Sequence, residues 1–168
     1  MKKGLKIFLF CCTALTLISW DRASKELAKE YLKNKAPISY FHNTFRLEYV
    51  ENTGAAMSLG DDLSKTVSFW LLSILPLVFL VGLLVYVVMQ SKEMRFAKML
   101  AFALIIAGGI GNIIDRVLYD RHVADFMNIG YNNIRTGIFN VADVCVTGGA
   151  IMLLLFYKDK KISNRNTG

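Results

Sequence analysis

Four polar side chains interrupt or edge the long apolar runs of this chain: Asp21, Asn112, Asp115 and Asp143. Holding an ionisable group in hydrocarbon is costly, so such a residue marks a functional site by default. Asp143 is the boldest of them. It is the sixth residue of the run 138–157, whose only other strongly polar side chain is Asn140. Asp125, in the segment Val123-Ala124-Asp125-Phe126, is a further carboxylate between apolar neighbours, on a connection long enough to fold back over the segment carrying Asp143. Two carboxyls brought together in a poorly hydrated place cannot both ionise; one pKa rises and the pair shares a proton. The ionised member can take a proton from water while the protonated member polarises a peptide carbonyl. That chemistry uses no metal and no cofactor, and neither is expected here.

Such a pair needs elements to carry it, and the composition says what they are. The chain has 168 residues, of which 54% are hydrophobic, and a mean hydropathy of +0.40, too apolar for an ordinary soluble domain. The excess sits in blocks. The run 67–89 carries no charge and, at 1.5 Å per residue, is long enough for a hydrocarbon core of ~30 Å. The run 138–157 is a second candidate, and 99–114 a third if Lys98 snorkels. The run 7–20 is the shortest and, behind Met1-Lys2-Lys3, resembles a signal-peptide core; Phe10 before Cys11 does not suit cleavage, so it is expected to stay as a helix.

The expected fold is therefore a membrane protein, all-α with a small β element, forming a single domain over 1–168. Its four transmembrane helices are placed at approximately 5–21, 67–89, 97–115 and 138–157, with an extracytoplasmic subdomain at approximately 22–66. Within that subdomain, residues 23–33 have the apolar stripe of an interfacial helix, and the alternation at Ile38, Tyr40, Phe45, Leu47 and Tyr49 suits a small hairpin or cradle. Pro76 is expected to kink the second span. Residues 55–59, between Asn52-Thr53-Gly54 and Gly60-Asp61-Asp62, are expected to move when a substrate enters. Cys11, Cys12 and Cys145 show no C-x-x-C spacing, which argues against a zinc site or a disulfide framework.

Charge follows topology. With four spans both termini share one side, which carries ten basic residues against Glu93 and Asp159; the other side has ten basic residues spread over two longer loops with ten acids, not counting Asp143 inside the fourth span. The denser basic side is expected to be cytoplasmic. Asp21, Asn52, Asn112, Asp115, Arg116, Asn140 and Asp143 then all fall near the opposite face, where an active site or a pore mouth would assemble them. Each has a plainer reading. Asp21 and Lys25 are spaced i,i+4 in the favourable order and suit a simple helix pair. Asp115-Arg116 suits an ion pair closing the third helix, and Asn140 suits the satisfaction of backbone groups. Gly108, Gly109 and Gly111 suit close helix packing. A different function, a small proton-coupled membrane transporter relaying protons through Asp21, Asp115 and Asp143, would also keep acids in the membrane, but it should place them at several depths.

The motifs together resemble the lipoprotein signal peptidases, the type II signal peptidases of bacteria. Five segments carry the resemblance in order along nearly the whole chain: Asp21-Arg22-Ala23-Ser24-Lys25, Asn52-Thr53-Gly54-Ala55-Ala56, the stretch from Gly108 to Arg116, Val123-Ala124-Asp125-Phe126 and Phe139-Asn140-Val141-Ala142-Asp143. Arg22 stands where Gln is commoner, and Ala107-Gly108-Gly109 shifts the small-residue pattern slightly. The resemblance implies an aspartic endopeptidase of the inner membrane with Asp125 and Asp143 as catalytic dyad. It also implies that Asp21, Lys25, Asn52, Gly54, Gly108, Asn112, Asp115, Arg116, Asn140 and Ala142 bind substrate or support the site. The implied substrate is a prolipoprotein whose Cys carries diacylglycerol, cut on the amino side of that Cys. Membrane lipid and globomycin-type inhibitors are further implied partners, and nucleic acid is not.

Overall fold

The computed structural model describes residues 2–54, 64–131 and 134–157. Helix α1 (Lys3–Leu32) is continuous for 30 residues. The expected first span and the expected interfacial helix are thus one helix. No Gly or Pro interrupts the backbone bonding around Asp21, and Asp21 pairs with Lys25 one turn on. Among the described residues, Lys3–Leu32, Lys65–Gln90 and Phe96–Leu118 are helices long and apolar enough to cross a membrane, and Val141–Phe156 forms a shorter apolar one.

The second helix, α2 (Lys65–Gln90), changes register at the proline expected to kink it. Residues Trp70–Ile74 are π-helical, and the Leu75 N–H bonds to Trp70 O, five residues back. Pro76 has no N–H to give, so the ladder is already broken at the next position and a wider turn is tolerated there. The third helix, α3 (Phe96–Leu118), is the hub. Half of its most apolar stretch is buried, against 17% in each of the other two long helices. It packs against α1, α2 and α4 (Val141–Tyr157). Phe10, Leu80, Val87, Met99, Phe102, Ile106 and Ile113 form the main apolar core between α1, α2 and α3.

Small residues set how closely α4 approaches the hub. A Cβ on Gly108 would collide with the Ala142 carbonyl oxygen and come within 2.8 Å of Val146 Cγ2, and one on Gly149 would lie 2.6 Å from the Ala101 carbonyl oxygen. Close backbone approach of this kind gives membrane helices their packing contact, since lipid is as apolar as the side chains.

A four-stranded antiparallel sheet, in the order β1-β2-β3-β4, covers the end of the bundle where α1 and α3 finish and α4 begins. Strands β1 (Ile38–Tyr40) and β2 (Phe45–Asn52) form the hairpin read from the alternation. The sheet is wider than that reading, because β3 (Val123–Tyr131) pairs with β2 and β4 (Ile134–Arg135) pairs with β3. Asp125 therefore sits in a strand, opposite Val50, and not in a loop. Alternation failed to reveal β3 because a carboxylate occupies an inward position and Phe126 beside it is buried as well. The Phe126 and Met127 amides both donate to Phe139 O, a local irregularity that accommodates two consecutive buried residues. Ala28 and Leu32 of α1 pack on Phe126, fixing the sheet to the bundle. The segment expected to move, 55–59, and residues 158–168 lie outside the described residues.

Adding one methyl group at Gly108 is expected to cost about 2 kcal/mol of stability through overpacking. Gly82→Ala, where an added Cβ has nothing within 4 Å, should be neutral or stabilising. Thermal unfolding of both variants in detergent checks this; equal melting temperatures would show that Gly108 does not set the α3–α4 spacing.

Candidate active site

The first turn of α4 assembles the site. Asn140 precedes the helix, and its side-chain Oδ1 accepts the Asp143 N–H at 3.1 Å, while Asp143 Oδ2 accepts the Asn140 N–H at 3.0 Å. This reciprocal pair satisfies two amide groups at a helix start, as a capping box does. A third is taken from another helix, since the Ala142 N–H donates to Asp21 Oδ1 at 2.9 Å. Asp143 therefore sits where backbone N–H groups and the helix dipole present positive partial charge to its carboxylate.

Strand β3 delivers the second carboxylate to the same asparagine. Asn140 Nδ2 donates to Asp125 Oδ1 at 2.7 Å, and Asn52 Nδ2, from the end of β2, donates to Asp125 Oδ2 at 3.0 Å. Asn112 completes the lattice from α3. Its Nδ2 donates to Asp143 Oδ1 at 2.8 Å, and its Oδ1 accepts Asn140 Nδ2 at 3.1 Å. Asp125 and Asp143 are thus held by neutral amides and share Asn140 as a common donor. Burial pushes the Asp125 carboxyl up to about 6; the Asn52 hydrogen bond opposes that rise and the charge of Asp143 adds to it.

Both carboxylates line one cavity of about 770 Å³. Its polar end is formed by Asn52, Asn112, Arg116, Asp125 and Asp143. Its apolar wall includes Ile129, Ile138 and Phe139 together with Val144, Thr147, Gly148 and Ile151, which follow one another along one stripe of α4. Arg116 donates Nη2 to the Gly54 carbonyl at 2.8 Å, and the Gly54 N–H donates to Asn52 Oδ1 at 2.9 Å, so both hold the chain leaving β2 beside the cavity.

Behind the amides lies a buried charge cluster. Lys25, only 2% exposed, places Nζ 2.8 Å from Asp21 Oδ2, 2.8 Å from Asp115 Oδ2 and 3.0 Å from Asn112 Oδ1. Arg22 pairs with Asp115 Oδ1 and donates to the Tyr119 hydroxyl at 2.9 Å. Gly111 makes room for this cluster, because a Cβ there would lie 2.6 Å from Asp21 Oδ2. Lys25 also fixes Asn112. With Oδ1 occupied by the ammonium, the Asn112 amide must turn its NH₂ toward Asp143.

The structure brings Asn52, Gly54, Asn112, Arg116, Asp125, Asn140 and Asp143 together at the cavity. It places Asp21, Lys25 and Asp115 one layer behind, and uses Gly108 and Ala142 for packing and capping. The reading of Asp115-Arg116 as an ion pair does not hold. Successive helix residues point in different directions, so Asp115 meets Lys25 and Arg22 while Arg116 turns to Gly54. Sequence reasoning noted Arg22 only as an unusual residue and missed its pairing. It also missed the apolar wall, which the spacing of Val144, Thr147 and Ile151 at i, i+3 and i+7 signals.

A family model described as signal peptidase (SPase) II matches residues 13–158. The chain is 37% identical over 144 residues to the lipoprotein signal peptidase of Clostridium acetobutylicum, which covers 84% of this chain and 89% of that protein. It is 34% identical over 173 residues to the lipoprotein signal peptidase of Borrelia garinii subsp. bavariensis, covering 97% of this chain and 96% of the relative. Among solved structures it is similar to two bacterial membrane enzymes determined by the in meso method. One has a TM-score of 0.78 at 26% identity, covering 96% of this chain and 94% of that one. The other has a TM-score of 0.72 at 26% identity, covering 91% and 94%.

Removing the lysine from the charge cluster leaves the buried Asp21 carboxylate without a cation and Asp115 with Arg22 alone. Lys25→Met is expected to lose about 3–5 kcal/mol, and the double variant Lys25→Met/Asp21→Asn should recover part of it. Thermal melts of the two variants measure the coupling. A second outcome concerns Asp125, whose carboxyl should titrate near 6 in the folded protein. In Asp143→Asn the like charge is gone, so the Asp125 midpoint should fall; a carboxyl ¹³C titration that shows no change would separate the two groups.

Proposed function

This chain belongs to the signal peptidase II family, and on that premise we propose that Asp125 and Asp143 are its catalytic dyad. As a family member it is a multi-pass membrane protease that removes signal peptides from prolipoproteins. The finer reading makes it an aspartic endopeptidase that cuts on the amino side of a Cys already carrying diacylglycerol. The observation that carries this reading is the pair of carboxylates, from β3 and from the start of α4, bound to one asparagine and lining one cavity.

The chemistry follows from the unlike environments of the two acids. Burial raises the affinity of Asp125 for a proton, while Asp143 faces the N–H groups of a helix start. Asp143 is the base that takes a proton from water, and Asp125 donates a hydrogen bond to the scissile carbonyl. As the water oxygen bonds to the carbonyl carbon, the Asp125 proton passes to the carbonyl oxygen and gives a tetrahedral diol. The proton held by Asp143 then passes to the peptide nitrogen, the C–N bond breaks, and one diol hydroxyl returns its proton to Asp125; the products are a signal-peptide acid and the free amino group of the lipidated Cys. Asn140, Asn112 and Asn52 hold the two carboxyls during this exchange, with Lys25 and Asp21 positioning Asn112 and the helix start.

The surroundings suit such a substrate. The wall of Val144, Thr147, Gly148 and Ile151 offers an apolar surface to the signal peptide, and the acyl chains of the lipidated Cys would hold the scissile bond at the membrane surface. The distribution of basic residues supports cytoplasmic termini in the inner membrane, with the dyad near the outer face. A globomycin-type inhibitor would occupy the same cavity. The transporter reading draws no support from this arrangement, because Asp21, Asp115 and Asp143 gather at one end of the bundle.

Asp125→Asn and Asp143→Asn, made singly, are each expected to lower turnover of a lipidated precursor peptide by about 10³-fold. Both should keep a cooperative thermal transition. Wild-type turnover by either variant would rule out the dyad.

A further inference from the structure

We propose that Arg116 is the binding site for the carboxylate that hydrolysis creates at the new C-terminus of the severed signal peptide. The inference rests on the peptidase reading above and adds to it a role for a cation that the chemical steps leave unused.

Among the described residues lining the cavity, Arg116 is the only cation. The other basic residues close to the site, Lys25 and Arg22, are turned away from it onto Asp21 and Asp115. Arg116 forms no ion pair with any described carboxylate. Among the described residues its hydrogen bond is to a neutral acceptor, the Gly54 carbonyl, and its buried Nε has no acceptor. A guanidinium has five N–H donors in a planar fork that matches a carboxylate two bonds at a time. With one N–H spent on Gly54, the guanidinium keeps donors to offer an acceptor that arrives in the cavity with the ligand.

Charge balance identifies that acceptor. Before cleavage, a dyad sharing one proton carries a single negative charge, and Arg116 offsets it. Hydrolysis adds water across the amide: the oxygen goes to the acyl carbon, a proton goes to nitrogen, and the C–N bond breaks. At neutral pH the acyl product loses its proton to become a carboxylate and the amine gains one, so the overall charge is unchanged but is now separated. The cavity then holds the dyad anion and a second anion beside it. Like charges in such a site repel strongly. Arg116 relieves this by taking the signal-peptide carboxylate, which leaves the new ammonium of the lipidated Cys to face the dyad. Without that separation the two products would remain opposed for the reverse reaction.

The test compares two synthetic lipoprotein signal peptides of the same sequence, ending at the cleaved bond, one with a free C-terminal carboxylate and one with a carboxamide. Each is used as an inhibitor of the full-length enzyme cleaving a lipidated precursor at pH 7.5. The carboxylate peptide is expected to bind wild type about tenfold tighter than the carboxamide, the size of one charge-assisted hydrogen bond. Arg116→Gln should bring the ratio to about one, and Arg116→Lys should restore part of it. A residue that only braced Gly54 would weaken both peptides alike and leave their ratio intact.

Equal inhibition by the two peptides in wild type overturns the proposal, even if Arg116→Gln fails to fold, and so does an unchanged ratio in a folded Arg116→Gln. Cleavage of the precursor by the wild-type enzyme in that experiment leaves the peptidase reading standing. Absence of cleavage would overturn that reading and the carboxylate site with it.

Discussion

A carboxylate set in apolar surroundings must either give up its charge or be supplied with donors, and this chain divides its acids between two kinds of donor. Asp21 and Asp115 receive cations, Lys25 and Arg22, with Lys25 almost fully buried between them. Asp125 and Asp143 receive amides, from Asn52, Asn112 and Asn140. The distinction matters physically. A cation in contact would hold a carboxylate in its charged form, whereas a neutral amide donates to it without fixing its charge. The proposed proton sharing depends on that second condition, and the proximity of Arg116 without an ion pair is compatible with it.

The two layers are mechanically one object. Asp21 caps the start of α4 through the Ala142 N–H, while its second oxygen meets Lys25; Lys25 in turn holds Asn112, which holds Asp143. The charged layer orients the amide layer, and the amide layer orients the acids. A buried ion cluster of this sort is weak evidence for stability, since desolvation offsets much of its attraction. Its contribution here is better understood as geometry, because it removes freedom from the Asn112 amide and from the first turn of α4.

Packing makes the arrangement reachable. Side chains as short as Asn and Asp meet across helices only if the backbones come close, and Gly108, Gly111 and Gly149 supply the room. The sheet supplies the rest. By pairing β3 with β2, it sets Asp125 opposite Val50 and carries it to the start of α4, and the packing of Phe126 on Ala28 and Leu32 keeps it there.

Much of this was legible in the amino-acid order. Apolar runs announced the helices, because a segment surrounded by lipid must be uniformly apolar and must satisfy its backbone internally. An acid within such a run is conspicuous for the same reason, so Asp21, Asp115 and Asp143 stood out. The short alternation ending near Asn52 announced the hairpin. Strand β3 was not legible, since an inward-facing Asp125 erases the alternation by which half-buried strands are read. Partner choice was legible only within one helix, where Asp21 and Lys25 pair at i,i+4 as read; Asp115 lies next to Arg116 in sequence yet pairs with Lys25 and Arg22, because helix geometry turns neighbours apart and brings distant residues into line. The chain by itself determined which residues were too costly to bury without purpose. Only the tertiary structure decided that Asp115 would meet cations while Asp125 and Asp143 would meet amides, since that depends on distances between elements that no single segment encodes.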